Sequence, residues 1–176
     1  MASNNIFVAL TKNEKFWDKS KEVILLGAWC ISDYEKKDKY KVLPYPIKLK
    51  DSSFSRFDKY NQELYSKYLK IFTKLLNKEH KVNHSVRYWD IVLGSFLYRY
   101  IGVMHERYLT IQNLLGQYDT FDCFIADNSI RKAVVVDELS FMKLIQDDDY
   151  NFELYSKLLS FFNVDGTKIK INREWE

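Results

Sequence analysis

The sequence has few of the residues that build turns, disulfide bonds and metal sites. Its 176 residues include only 5 glycines and 2 prolines, which argues against a loop-rich β-sandwich and against a disordered chain. Cys30 and Cys123 form neither a CxxC motif nor a metal-binding pattern, and each lies beside apolar residues. We therefore expect two buried free thiols. The 3 histidines are not spaced as a metal site, and neither a metal nor a cofactor is expected.

Long apolar runs and an amino-terminal signal are also missing. No run of about 18 apolar residues predicts a transmembrane helix, and no cationic start precedes an apolar segment as in a secretory signal. The sequence thus predicts a cytoplasmic protein, with the inner face of the membrane as the alternative location. A net charge of +3 is too small to indicate nucleic-acid binding by itself.

What the sequence does contain suits a folded α/β protein. It is 47% hydrophobic and 29% charged, both ordinary values for a globular chain, and its length favours one domain over residues 1–176. The predicted elements run strand, helix, strand, long loop, two long helices, strand, helices. Such alternation favours a parallel sheet covered by helices. The predicted fold is therefore a Rossmann-like parallel sheet with two long central helices.

The first two predicted strands, residues 6–10 and 22–26, are apolar without alternation, as buried strands are. Thr11 follows the first strand, and we expect it to cap a short helix. Gly27 and Trp29 follow the second strand, at the carboxyl end where open α/β sheets bind ligands. They are candidate substrate-binding residues, and a simple tight turn is the alternative.

The helix predicted over residues 56–77 is amphipathic, and such a helix normally turns its apolar arc to the core. The arc contains Tyr60, Leu64, Tyr68, Ile71, Phe72 and Leu75. The other side carries Lys67, Lys70, Lys74 and Lys78. A solvated face explains these lysines, and peripheral contact with a phospholipid or polyprenyl-phosphate surface is the alternative. Few arginines accompany them, so a nucleic-acid partner is not expected.

A second long helix is predicted within residues 80–115, with Asn83 as its N-cap and a break or kink near Gly102. Asp90 and Arg107 interrupt its apolar arc. A buried charge needs a partner, and Arg87 is correctly spaced to pair with Asp90. The alternative is that both charges reach solvent at the helix margins.

The polar side of this helix could line a cleft. Its two rows of residues are Arg87, His105 and Gln112, and Tyr88, Ser95, Arg99, Glu106 and Asn113. His84 lies at the first turn, where the helix dipole favours the neutral imidazole that a general base requires. A structural histidine is the ordinary alternative.

Two shorter helices are predicted over residues 137–146 and 150–162, separated by three aspartates at 147–149. Acidic residues suit the positive ends of helices, so we expect a solvated turn that caps the second helix. A divalent metal site is the alternative, but the spacing of a calcium loop is missing.

Several blocks of the sequence resemble a known family. They are residues 26–30 (LGAWC), 43–45 (LPY), 76–77 (LN), 83–94 (NHSVRYWDIVLG), 106–108 (ERY) and 148–151 (DDYN) with Leu154 and Tyr155. These blocks are similar to the amino-terminal part of a family of transferases associated with O-antigen and other bacterial surface polysaccharides. The most specific block is His-Ser-x-Arg-Tyr-Trp at 84–89.

The resemblance carries several expectations. Members of that family are several times longer, and their remaining part resembles the nucleotide-sugar half of a two-Rossmann glycosyltransferase. The resemblance implies that this chain is the acceptor-side domain, incomplete alone, which acts on a glycan or lipid-linked acceptor with a nucleotide-sugar-binding partner domain. Because they fall within the matched blocks, His84 is the candidate catalytic residue, and the candidate substrate-binding residues are Gly27, Trp29, Arg87, Tyr88, Glu106 and Arg107. The alternative function is a non-enzymatic interaction or membrane-surface module.

Overall fold

A computed structural model describes residues 5–31, 38–48, 52–127, 135 and 137–169. Contacts within the chain divide it into two units, each described below by itself. Unit 1 comprises Met1–Tyr45 and Tyr108–Glu176, and unit 2 comprises Pro46–Arg107. The prediction that residues 1–176 act as one domain stays a prediction.

Unit 1 contains a parallel sheet of three short strands. They are β1 (Ile6–Ala9), β2 (Glu22–Leu25) and β3 (Lys41–Val42), with β2 in the middle. Both pairings are parallel. The last three residues of β1 and of β2 are buried, as expected for strands covered on both faces. The two strands predicted first are therefore confirmed.

A second parallel pair extends this arrangement. β4 (Phe124–Ala126) pairs with β5 (Thr167–Ile169), and a single parallel bridge between Phe7 and Asp122 links β1 to the segment that enters β4. The resulting order, β3-β2-β1-β4-β5, is the order found in Rossmann-type sheets. The Rossmann-like parallel sheet is thus confirmed. The apolar segment 133–136, which the sequence also suggests as a short strand or buried turn, falls almost entirely outside the described residues.

Four α-helices complete the described part of the chain, and the first two are long, as predicted. They are α1 (Ser52–His80), α2 (Val86–Gln117), α3 (Glu138–Leu144) and α4 (Asp148–Phe161). Asp137 caps α3 by accepting the Ser140 N–H, and Asp147 caps α4 by accepting the Tyr150 N–H at 2.7 Å. Side-chain capping of this kind stabilises a helix by about 1 kcal/mol.

The core of unit 1 forms where the sheet meets helical residues. Its fully buried side chains include Phe7, Val8, Leu25, Leu26, Ile111, Leu114, Phe152, Tyr155 and Leu159. Cys30 and Cys123 lie in the same core as free thiols, as predicted. Burial raises the pKa of each thiol to about 12, because an apolar environment disfavours the thiolate.

Unit 2 is built from α1 and the first part of α2, joined by a short connection. α1 ends in a Schellman motif, in which Lys81 has a positive φ of 55° and the Val82 N–H donates to the Asn77 carbonyl. Asn83 was the predicted N-cap of α2, but Ser85 performs that role by accepting the Tyr88 N–H at 3.2 Å. The prediction was wrong by two residues, because Asn83 and Ser85 both have side chains that favour the N-cap position.

Two further helix predictions need correction. α1 begins at Ser52 rather than at residue 56, since serines favour caps but are also tolerated within a helix. α2 continues through Gly102 without a break. One glycine costs a helix only about 1 kcal/mol, which the packing of a 32-residue helix offsets.

The buried side of α1 differs from the predicted apolar arc. Leu69 packs with Trp89, Leu97 and Ile101 of α2 in the unit 2 cluster. Most of the predicted arc is turned to solvent, including Tyr60, Tyr68, Ile71, Phe72 and Leu75. Apolar residues extend around more than one side of α1, and the hairpin partner covers only the side that carries Leu69.

No helix in the described ranges combines the length and apolar character needed to cross a membrane.

Candidate functional site

An open cleft lies in unit 1 just past the carboxyl ends of β1 and β2, where open α/β sheets bind ligands. Its volume is about 800 Å³. Its walls come from the segments that follow the two strands and from the start of α4. The lining residues are Lys12, Asn13, Trp29, Ile31, Gln146, Asp147, Asp148 and Asp149.

The segment after β1 is tied to the start of α4. Asp148 accepts hydrogen bonds from the Thr11 hydroxyl and, at 3.1 Å, from the Lys12 N–H. Thr11 was the predicted helix cap, but Asn13 caps the 3₁₀ turn Glu14–Phe16 instead. The buried Thr11 hydroxyl donates to Asp148 and accepts the Asn13 N–H at 3.1 Å, which holds the segment before the turn and leaves Asn13 to accept the Lys15 N–H.

Trp29 forms a fixed wall of the cleft. Its indole stacks on the Tyr155 ring with 5.6 Å between centroids and 5° between planes. A Cβ at Gly27 would lie only 2.1 Å from the same indole, so this position requires glycine for close approach. The Trp29 Nε1 atom is buried and has no hydrogen-bond partner among the described residues.

The three aspartates at 147–149 have different roles. Asp147 caps α4, as expected for this turn, and Asn151 donates from its amide to the carbonyls of Ile145 and Asp147, each at 2.8 Å. These bonds hold the turn between α3 and α4 in one shape. Asp148 is bound to the β1 loop, so the turn is more than a solvated cap. Among the described residues, no group of three or more acidic, histidine or cysteine side chains is placed to hold a metal ion.

A separate group of predicted site residues surrounds the start of α2, in unit 2. The Asn77 amide donates to the His84 carbonyl at 2.8 Å and accepts the His84 N–H at 3.1 Å and the Trp89 indole N–H at 2.8 Å. The His84 imidazole stacks on the Tyr88 ring, 3.9 Å between centroids. The structure therefore brings His84 and Tyr88 together and fixes the backbone of His84.

Arg87 pairs with Asp90 at 3.6 Å, as the spacing predicted. The Tyr65 hydroxyl also donates to the Asp90 carboxylate. Burial, with this hydrogen bond as the second cause, raises the pKa of Tyr65 to about 12. Arg87 is 80% exposed, so it can reach a ligand at low cost in desolvation while Asp90 serves the packing of the hairpin.

Glu106 and Arg107 lie far from this group. They form an ion pair with each other, and Glu106 is buried. Arg107 and Arg87 are twenty residues apart on one continuous helix, which corresponds to about 30 Å along its axis. His84, Arg87 and Tyr88 therefore cannot share one small-molecule site with Glu106 and Arg107.

A family model described as LIC12162 family transferase matches residues 6–176 of the chain. The chain belongs to this family of transferases. No curated protein and no solved structure gave a significant match.

Two of the sequence blocks that resemble a transferase family meet at the unit 1 cleft of this LIC12162 family member. Residues 26–30 provide Trp29, whose ring lies close to Gly27, and the later block provides Asp148 and, through Tyr155, the surface on which Trp29 stacks. The blocks are more than a hundred residues apart in sequence. The sheet and α4 bring them to one place.

The sequence did not single out the other residues of this cleft. Lys12 and Asn13 carry no motif, and only their position after a buried strand could have drawn attention to them. Gly27 and Trp29 lie in unit 1, whereas His84 and Arg87 lie in unit 2. That these residues serve one substrate, as the resemblance implies, stays a prediction.

Proposed function

We propose that this chain is the acceptor-side domain of a glycosyltransferase-like enzyme of bacterial surface-polysaccharide (O-antigen) biosynthesis. In this proposal the unit 1 cleft binds a sugar of the glycan or lipid-linked acceptor, and a nucleotide-sugar-binding partner domain supplies the donor. The observation that carries it is the meeting of two family-like sequence blocks at one cleft, at the carboxyl edge of a parallel sheet in a member of a transferase family.

The chemistry of the lining suits a polyhydroxylated ligand. Asp149 can accept hydrogen bonds from sugar hydroxyls, while the amides of Asn13 and Gln146 can both donate and accept. Trp29 adds an apolar wall whose position is fixed by Gly27 and Tyr155. Six of the eight lining residues are polar or charged, and Trp29 and Ile31 supply the apolar part.

His84 is the proposed general base. In a glycosyl transfer the acceptor oxygen bonds to the anomeric carbon of the donor sugar while the bond from that carbon to the nucleotide phosphate breaks. The nucleoside diphosphate leaves with the electron pair, and a neutral imidazole can take the proton of the acceptor hydroxyl. The Asn77 bonds hold the backbone of His84 in place, and Arg87 would bind an anionic group of the substrate beside it. Gly27, Trp29 and Tyr88 remain proposed substrate-binding residues, whereas Glu106 and Arg107 could bind the substrate only at a place separate from His84.

Saccharide binding tests the cleft directly. Saturation-transfer NMR would be recorded on the intact chain with a panel of monosaccharides and short surface-glycan fragments. We expect Asn13→Ala and Asp149→Asn each to weaken binding about tenfold, the effect of one hydrogen bond to a charged or polar group. Asp165→Asn, at an exposed carboxylate outside the cleft, is the matched control and should bind as the unmodified chain does. No saccharide signal, or equal binding by all variants, would overturn the proposal.

The role of His84 needs its own test. With the partner domain and donor present, His84→Gln should lower kcat by a factor of about 10² or more and leave saccharide binding in the cleft unchanged. An unchanged rate would remove His84 from catalysis but leave the cleft proposal standing.

A further inference from the structure

Large apolar side chains form a row on the exposed side of α1. Tyr68, Ile71, Phe72 and Leu75 are 41%, 40%, 38% and 55% exposed. Their spacing of three, one and three residues places them on one face of the helix. Contiguous exposed apolar surface of this kind marks an interaction site. We refer to these four residues as the α1 apolar row.

Positive charge borders the α1 apolar row. From Leu64 to Lys78, α1 contains four lysines and no aspartate or glutamate. Successive residues of an α-helix are rotated by about 100° about its axis. By this rotation the middle of the lysine row lies roughly 100° from the middle of the apolar row, on the side away from the buried residues Leu69 and Thr73. The four exposed lysines of this row are Lys67, Lys70, Lys74 and Lys78. The helix therefore presents, in turn, a buried side, an apolar row and a cationic row.

We propose that this face of α1 docks on an anionic lipid surface. With the helix parallel to the membrane plane, the apolar row enters the boundary between head groups and acyl chains, as in other interfacial amphipathic helices. The lysine stems extend along the helix so that their ammonium groups reach the lipid phosphates. Each lysine near such a surface strengthens binding about fivefold. This inference stands apart from the proposed sugar-binding role of unit 1.

A second copy of the chain fits this face less well. In a twofold-symmetric dimer the same patch faces itself, so the lysine row of one copy would approach that of the other. The segment from Leu64 to Lys78 has no acidic side chain, and the two that flank it, Glu63 and Glu79, are outnumbered by the four lysines. An anionic surface, by contrast, complements every charge on the segment.

Vesicle sedimentation with the intact chain tests this proposal. The probes are vesicles of phosphatidylcholine alone and of an equimolar mixture of phosphatidylcholine and phosphatidylglycerol. We expect binding to the anionic vesicles, little binding to the neutral ones, and weaker binding as salt screens the charges. Absence of binding to anionic vesicles at low salt overturns the proposal, and is the result expected if an acidic protein occupies this face instead.

Paired variants separate the two parts of the face. Lys70→Gln with Lys74→Gln should lower partitioning about 25-fold, since each lysine contributes about fivefold. Ile71→Ser with Leu75→Ser should lower it by on the order of tenfold while the circular dichroism spectrum is unchanged. Lys143→Gln with Lys157→Gln, at exposed unit 1 positions, is the control. The proposal is overturned if the control variant loses as much vesicle binding as the other two. It is also overturned if the chain forms a dimer without vesicles and Ile71→Ser with Leu75→Ser abolishes that dimer.

Discussion

Unit 1 and unit 2 differ in how they bury their apolar side chains. In unit 1 the strands and helical residues enclose a large cluster, and several side chains such as Phe7 and Leu159 are fully buried. The cluster confined to unit 2 has four buried members among the described residues, and much of the apolar surface of α1 faces solvent. Two helices cannot surround each other, so a hairpin leaves apolar surface exposed. A well-enclosed unit suits a preformed ligand cleft, and a partly covered one suits contact with another surface.

The largest expected effect concerns the two thiols, both in unit 1. A pKa of about 12 in place of 9.0 lowers the thiolate fraction about a thousandfold at neutral pH, so Cys30 and Cys123 should resist a thiol reagent until unit 1 opens. The raised pKa values also stabilise the fold at pH below 9, and that contribution is lost as the pH rises towards 12. Thiol labelling across a urea titration measures the protection of the two thiols, and circular dichroism of the same samples measures the stability of the fold. Labelling that begins before helical signal is lost would show that unit 1, not unit 2, opens first.

Gly27 and Gly94 offer the next test, because each lies close to an aromatic side chain in its own unit. Alanine at Gly27 places a Cβ against the enclosed Trp29 ring and should lower the free energy of unfolding by about 3 kcal/mol. The nearest atoms to a Cβ at Gly94 belong to the ends of the Tyr65 and Asp90 side chains, which can shift. Higher helix propensity offsets part of the remaining cost of Gly94→Ala, leaving about 1 kcal/mol or less. Urea denaturation measures both.

Gly116 is the control for this pair. A Cβ there meets nothing within 4 Å, so Gly116→Ala should stabilise the chain by up to about 1 kcal/mol. If Gly27→Ala and Gly94→Ala lower the free energy of unfolding equally, the contrast between a well-enclosed unit 1 and a partly covered unit 2 is wrong.

Asp148 tests the tie between the β1 loop and α4. Its carboxylate receives two hydrogen bonds, so Asp148→Ala should lower the free energy of unfolding by about 2 kcal/mol. Asp148→Asn keeps one carbonyl acceptor and should lose less. Asp119→Ala, at an exposed carboxylate after α2, should change stability by less than about 0.5 kcal/mol. Equal results for Asp148→Ala and Asp119→Ala would mean that the cleft is not held by this contact.

The sequence predicted best the features that depend on neighbouring residues. The first two strands, the buried thiols, the Arg87–Asp90 pair and the turn capped by Asp147 all follow from local pattern and spacing. The class of the sheet also followed, because alternating strands and helices leave few other arrangements.

Features that depend on distant residues could not be predicted. Thr11 and Asp148 are 137 positions apart, and no local signal indicates their contact. The buried side of α1 was mistaken because its apolar residues cover more than one face, and only the position of α2 decides which face is enclosed. Asn83 and Ser85 were equally good N-cap candidates from the local sequence, because both side chains favour that position.

The smallest expected effect is at Leu75, and it tests which side of α1 is enclosed. Leu75 is 55% exposed, whereas Leu69 on the same helix is 6% exposed. Leu75→Ala should therefore change the free energy of unfolding by less than about 0.5 kcal/mol, and Leu69→Ala should lower it by roughly 2 kcal/mol or more through the cavity it leaves. Urea denaturation of the two variants uses the same substitution on the same helix, so differences in helix propensity cancel. A large loss at Leu75 would mean that the apolar row is enclosed within the isolated chain, which would leave no exposed apolar face for a lipid surface to contact.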